Sequence, residues 1–116
     1  MASVLVVEDD RQIARSIVLR LQASGHAVRV AHDVPAAVEE IDVNPPGVAV
    51  LDIALPGGGG FAVADRLRQL EDDVDIVFLT AISHPDTRLE ADRFHPRAFL
   101  EKPFTASDLV AAVASS

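Results

Sequence analysis

Five short apolar runs rich in β-branched residues recur along the chain: Val4–Val7, Ala27–Ala31, Val48–Leu51, Ile76–Leu79 and Ala98–Leu100. Runs that are apolar on both faces suit parallel strands covered by helices on each side. Segments with helical spacing lie between them. Arg11–Ser24 places Ile13, Ile17 and Leu21, with Ala14 and Val18, on one stripe. Asp10 stands where it can cap the start of that helix, and Gly25 where its end favours a left-handed residue. Asp33 and Pro35 open a second, shorter helix carrying Val38 and Ile41, which Asn44-Pro45-Pro46-Gly47 ends. A third helix is predicted over Phe61–Leu70, with Phe61, Ala64, Leu67 and Arg68 at helical intervals. A fourth starts at Pro85 and runs to about Phe94, and Thr105 with Asp108 forms a capping box for the last, which holds Leu109, Val110 and Val113.

Alternating strands and helices of this kind predict an α/β doubly wound parallel sheet of five strands with five helices. The commonest arrangement for five strands is the flavodoxin-like order 2-1-3-4-5. No internal repeat or linker is visible, so residues 1–116 read as one domain with no effector domain in this chain. The glycine run Gly57–Gly60 invites other readings. A linker does not fit, because the strand–helix alternation continues in step across it. A Walker loop needs Gly-Lys-Ser or Gly-Lys-Thr where Phe61 follows, and a dinucleotide loop belongs after the first strand, which is followed by acids. A mobile strand-to-helix turn is the reading that remains.

Composition narrows the function classes. Hydrophobic residues make up 49% of the 116 residues, which excludes a disordered chain, while aromatics are only 4%, all Phe. The core is therefore expected from Val, Leu, Ile and Ala. Without cysteine there is neither a disulfide nor a thiolate metal site, and His26, His32, His84 and His95 fall at no metal-ligand spacing. They read as surface or loop-edge histidines. The formal charge of −8 argues against direct nucleic-acid binding and against an anionic membrane surface. No run approaches the roughly 20 apolar residues of a membrane span, and the N-terminus lacks the basic region of a signal peptide. A soluble, cytoplasmic protein is expected.

The polar residues at the C-terminal ends of the apolar runs carry the chemistry. Glu8, Asp9 and Asp10 follow the first run, Asp52 the third, Thr80 the fourth, and Glu101 with Lys102 the fifth. In open α/β sheets ligands bind outside the carboxyl ends of the strands where strand order reverses, here between the first and third strands. Carboxylates gathered there repel one another unless a hard divalent cation offsets them, and Mg2+ typically takes one or two carboxylates and keeps its waters. Thr80 adds a hydroxyl and Lys102 a point positive charge, a set suited to a phosphoryl group. Taken singly, each residue has an ordinary structural reading as helix cap, turn residue, solvated charge or core. Their joint placement at one edge carries the functional one.

Val-Leu-Val-Val-Glu-Asp-Asp at 4–10, Val-Leu-Asp-Ile-Ala-Leu-Pro at 50–56, Phe-Leu-Thr-Ala at 78–81 and Phe-Leu-Glu-Lys-Pro-Phe at 99–104 stand in register. With these blocks the chain resembles the CheY-like receiver domain of two-component response regulators over essentially its whole length. The resemblance implies that Asp52 accepts a phosphoryl group from a histidine kinase or a histidine phosphotransfer protein. It implies an Mg2+ ion held by Asp9, Asp52 and the main-chain carbonyl of Ala54, with Glu8 acting through water and Asp10 left to its capping role. It further implies that Lys102, before a cis proline bond, pairs with the phosphoryl oxygens. Thr80 then turns towards the phosphoryl group, and Phe99 changes rotamer in response. Ala81 is small, which leaves the acceptor accessible. A homodimer through the last two helices and strand five is the usual candidate association.

Three departures stand out. His95-Pro96 replaces the family's usual Gly-Ala, so that turn is expected to be altered. The glycine run replaces a more polar loop, which suggests mobility beside the acceptor. Ala54 and Ile82 bring no side chain able to orient an attacking water, which implies slow self-dephosphorylation. Other classes fit less well. A phosphatase of the haloacid-dehalogenase type needs a second acid where Ala54 stands, and flavin binding has only the glycine run for support. A receiver-like interaction module that works without phosphorylation is the main alternative.

Overall fold

In a computed structural model of the chain, the described residues are 2–55, 59–70, 73–81 and 84–114. Pro56, Gly57, Gly58 and Ile82, which enter the sequence reading above, lie outside them. Strands and helices alternate as β1 (Ser3–Val7), α1 (Arg11–Ala23), β2 (Ala27–Ala31), α2 (Val34–Val43), β3 (Val48–Asp52), α3 (Gly59–Leu70), β4 (Asp75–Thr80), α4 (Pro85–Asp92), β5 (Ala98–Glu101) and α5 (Ala106–Ala114). The strands form one parallel sheet in the order β2-β1-β3-β4-β5, as expected from the sequence.

The alternation of side chains along each strand divides the core in two. Leu5, Val7, Ala49, Leu51, Ile76 and Phe78 face α2, α3 and α4, meeting Ala37, Ile41, Val63, Ala64, Leu67 and Ala91. Val4, Val6, Val48, Val50, Val77 and Leu79 face the other way, onto Ile17 and Leu21 of α1 and Leu109 and Val113 of α5. The first of these layers is not purely aliphatic. Phe61, Phe78 and Phe94 form a ring cluster there, with centroids 5.4 to 6.1 Å apart. Aromatic scarcity is therefore resolved by concentrating three of the five Phe in one place.

Local signals set most of the element ends. Asp10 accepts hydrogen bonds from the Gln12 and Ile13 amides at 3.0 Å, and Asp33 accepts from the Ala36 amide at 2.7 Å. Thr105 and Asp108 form the expected reciprocal capping pair. Gly25 follows α1 with φ +92°, the left-handed turn that glycine adopts without a Cβ penalty. Among the described residues no helix is long and apolar enough to cross a membrane.

Three differences from expectation bear on the site. β3, β4 and β5 extend one residue further than the apolar runs, so Asp52, Thr80 and Glu101 are strand-ending residues. α4 stops at Asp92 rather than near Phe94. His95 beyond it takes φ +51°, the left-handed conformation a glycine would adopt, and the following Pro96 cannot continue a helix. His95 thus holds a backbone conformation that a glycine adopts without a Cβ penalty. Arg68, at a helical interval from Phe61, Ala64 and Leu67 in α3, donates to the carbonyls of Phe94 and Val74, tying the turn after α4 to the start of β4.

The third difference concerns the glycine run. α3 begins at Gly59, inside the run, rather than at Phe61. A Cβ on Gly59 would overlap the Ile53 carbonyl oxygen, and one on Gly60 would stand 2.7 Å from the Asp52 carbonyl oxygen. Gly59 also has φ +67°. These two glycines serve close backbone approach, not mobility: the first turn of α3 is pressed onto the backbone that carries Asp52. Gly60→Ala is therefore expected to destabilise the fold by about 1–3 kcal/mol in denaturant unfolding, the usual cost of overpacking. Gly47→Ala, whose new methyl meets nothing nearer than Ser3 O at 3.5 Å, should change stability by less than about 1 kcal/mol.

Candidate functional site

Parallel pairing delivers the polar strand ends to one edge. β1 and β3 are neighbours, and the ladder between β3 and β4 sets Asp52 opposite Leu79. Thr80 pairs with Glu101 on β5, and the Lys102 amide extends the ladder by donating to the Thr80 carbonyl at 2.7 Å. The Lys102-Pro103 bond is cis, as the resemblance implied.

The side chains converge. Glu8, Asp9 and Asp52 each offer an oxygen, and the three oxygens lie within 4.8 Å of one another. Glu8 and Asp52 are 1% and 3% exposed and Thr80 is 5% exposed, whereas Asp9 faces solvent. Lys102 Nζ reaches Glu8 Oε1 at 2.8 Å and Asp52 Oδ2 at 3.3 Å. The remaining oxygens of these acids are also engaged. Glu8 Oε2 accepts from the Asp10 amide at 3.3 Å, and Asp52 Oδ1 accepts from the Ala54 amide at 3.0 Å.

Two buried carboxylates share one ammonium, and the electrostatics follow. Burial, and then Asp52 beside it, push the Glu8 carboxyl up to about 7, against the smaller opposing pull of Lys102 and the Asp10 amide. For Lys102 burial works downwards, but the Glu8 and Asp52 carboxylates outweigh it and hold the ammonium above its ordinary range. The donor set fits a hard cation. Opposite oxygens around an octahedral Mg2+ stand about 4 Å apart, twice the metal–oxygen distance, and these three lie within 4.8 Å of one another.

Phe99 lies on β5, with β4 between it and Asp52, opposite Phe78 and half-buried. The Arg88 guanidinium sits over its ring at 4.6 Å from the centroid and pairs with Asp92. Ala81 is exposed beside the strand end. Sequence reasoning brought Glu8, Asp9, Asp52, Thr80 and Lys102 to one edge, and the structure places them there. It did not find Arg88, because no spacing rule links a helix residue to a ring on another strand. Nor did it find His32, whose Nδ1 lies 3.0 Å from the Glu8 carbonyl oxygen.

Fold and site together describe a flavodoxin-like α/β domain with an acidic, lysine-bearing pocket at the carboxyl edge of its sheet. The chain belongs to the response regulator receiver domain family, whose sequence model matches residues 4–114. It is 32% identical over 111 residues to the acid tolerance regulatory protein ActR of Rhizobium meliloti (strain 1021), covering 96% of this chain and 57% of that protein. The chain thus spans little more than half of that relative. Among solved structures it is similar to the chemotaxis protein CheY4 of Vibrio cholerae, with TM-score 0.89 and 26% identity over 97% of this chain and 96% of that one. A response regulator from Burkholderia pseudomallei, solved with a phosphorylated aspartic acid, calcium ion and citrate, superimposes with TM-score 0.87 and 25% identity, over 97% of this chain and 66% of that one.

The Glu8 carboxyl gives a test of the site's electrostatics. Its folded value of about 7 stands above the ordinary 4.5, so its contribution to stability is complete below pH 4.5 and is lost as pH rises through 7. Glu8→Gln removes this loss. In metal-free buffer the melting temperature of Glu8→Gln relative to wild type should rise between pH 5 and pH 8. A difference independent of pH would contradict the assignment.

Proposed function

We propose that this domain is a phosphorylation switch in which Asp52 is the acceptor. The observation that carries the reading is the pairing of Lys102 with the buried Glu8 and Asp52 carboxylates, beside the exposed Asp9. In the transfer, an Asp52 carboxylate oxygen attacks the phosphorus of a phosphohistidine. The new P–O bond forms as the P–N bond breaks, and the leaving imidazole takes up a proton. Asp9 and Asp52 would hold Mg2+ directly with the Ala54 carbonyl, and Glu8, committed to Lys102 and the Asp10 amide, would act through water. When bound, the metal neutralises charge on the transferring phosphoryl group. Lys102 would pair with the phosphoryl oxygens, and Thr80 would donate its hydroxyl to them.

The consequence is a change at the surface. Thr80 moving inward opens space into which Phe99 turns, altering the face of α4, β5 and α5. Leu89 on α4 is 68% exposed, an apolar contact that a homodimer or partner would cover. The donor is a sensor histidine kinase or a histidine phosphotransfer protein, met in the cytoplasm. The domain catalyses only its own phosphorylation and dephosphorylation. The net charge of −8 gives no footprint for nucleic acid on this domain.

Incubation with acetyl phosphate and Mg2+, followed by intact mass, tests the reading. Wild type should gain one phosphoryl group and Asp52→Asn none. Wild type staying unmodified would favour an interaction module that works without phosphorylation. The phosphoryl group should also be long-lived, because Ala54 and Ile82 supply no group to orient water. An Ala54→Asn, Ile82→Glu double variant is expected to lose it faster, and slower loss would contradict this.

A further inference from the structure

We infer that His32 is a positioning residue for the acidic loop after β1, acting through the main-chain carbonyl of Glu8. The inference rests on the metal-binding reading given above. The β1–β2 ladder does not stop at its last paired residues, Val7 and Ala31, because the Glu8 amide still donates to the Ala31 carbonyl at 3.1 Å. One further rung would use the Glu8 carbonyl as acceptor for the amide of Asp33. That residue has instead turned away to cap α2, with its carboxylate accepting from the Ala36 amide. The imidazole of His32 takes the place of the missing rung, with Nδ1 at 3.0 Å from Glu8 O. A carbonyl can only accept, so Nδ1 carries the hydrogen and donates.

The peptide held in this way joins Glu8 to Asp9, and its plane sets the direction in which Asp9 leaves the chain. The neighbouring acids are fixed by their own side chains. Glu8 is held by Lys102 and the Asp10 amide, and Asp10 by its cap on α1. Asp9 is exposed, and among the described residues no hydrogen bond or ion pair restrains its carboxylate. Its pose therefore depends on the backbone before it, and His32 is the side chain that grips that backbone. Outer partners of metal ligands typically contribute 10–100-fold to metal affinity. One acting through the backbone belongs at the low end.

Asparagine supplies the test, because its amide Nδ2 occupies the position of imidazole Nδ1 and donates in the same direction. Mg2+ is titrated calorimetrically into the whole chain as wild type, His32→Asn and His32→Leu, and each is also melted without metal. His32→Leu should bind Mg2+ about tenfold more weakly, at the low end of that range, and His32→Asn within about twofold of wild type. In acetyl phosphate reactions the His32→Leu defect should appear more in the half-saturating Mg2+ concentration than in the maximal rate. Unchanged affinity in His32→Leu would overturn the inference. So would His32→Asn falling with His32→Leu in both affinity and metal-free stability, which is the pattern of a merely structural residue. If wild type itself binds no Mg2+, the metal site and this inference fall together.

Discussion

The structure depends on one crowded electrostatic arrangement: two buried carboxylates, Glu8 and Asp52, facing a single ammonium from Lys102, with Asp9 adding a further negative charge at the rim. Removing charges from water is costly, and an ion pair offsets that cost only when its geometry is good and its remaining lone pairs are satisfied. Both conditions hold here, since the Asp10 and Ala54 amides take the second oxygen of each acid. Charge nevertheless does not balance, and burial first, then the neighbouring Asp52, raise the Glu8 carboxyl against the pull of Lys102. A stable structural ion pair would match one acid to one base. An excess of negative charge at the mouth of a sheet is instead a site that favours cations. With a cation in place, the same site can receive an anionic group.

Topology makes the arrangement possible. Lys102 follows β5, whereas its partners follow β1 and β3, and β4 stands between. Adjacent strands are about 4.8 Å apart, so only a long side chain crosses that span. The Thr80 carbonyl anchors the Lys102 amide. The hydroxyl of β4, the acids of β1 and β3 and the lysine after β5 are therefore gathered by strand order alone, with no residue from the helix faces. A shift of any strand by one residue would turn its terminal side chain to the opposite face of the sheet.

How much of this was legible in the sequence follows from which interactions leave a periodic trace. Strand runs, helix stripes and caps such as Asp10, Asp33 and the Thr105–Asp108 pair are local, and they read directly. The acids and Lys102 were legible because they sit at the ends of readable strands. The contacts that escaped are those between distant backbones or from a side chain to a distant backbone. The Gly59–Gly60 start of α3 looked like a flexible run because nothing local shows that the Asp52–Ile53 backbone lies against it. His32 looked like a surface histidine because its partner is a carbonyl, which has no sequence identity to match. Arg68 read only as a residue at helical spacing because spacing reports a direction and not the atoms met there.

The aromatic switch position shows how the site's small energies can have a large effect. Arg88 stacks over Phe99 while paired with Asp92, and exposed cation–π contacts of this type contribute about 0.5–1 kcal/mol. Turning the Phe99 ring away from Arg88 would forfeit that contact, so Arg88 favours the present ring position by about that much. A phosphoryl group on Asp52 would bring hydrogen bonds to charged acceptors, each worth about 1.5–3 kcal/mol. Carrying a two-state equilibrium from 1:99 to 99:1 needs about 5.5 kcal/mol of differential interaction. Two or three such bonds would sum to about 3–9 kcal/mol. Lys102 already pairs with Glu8 and Asp52, so the differential part would fall below that sum while still exceeding the Arg88 contact. A contact of that size biases the ring only about two- to fivefold. On the proposed reading it would therefore tune the resting position of Phe99, and the bonds gathered by a single anion would outweigh it.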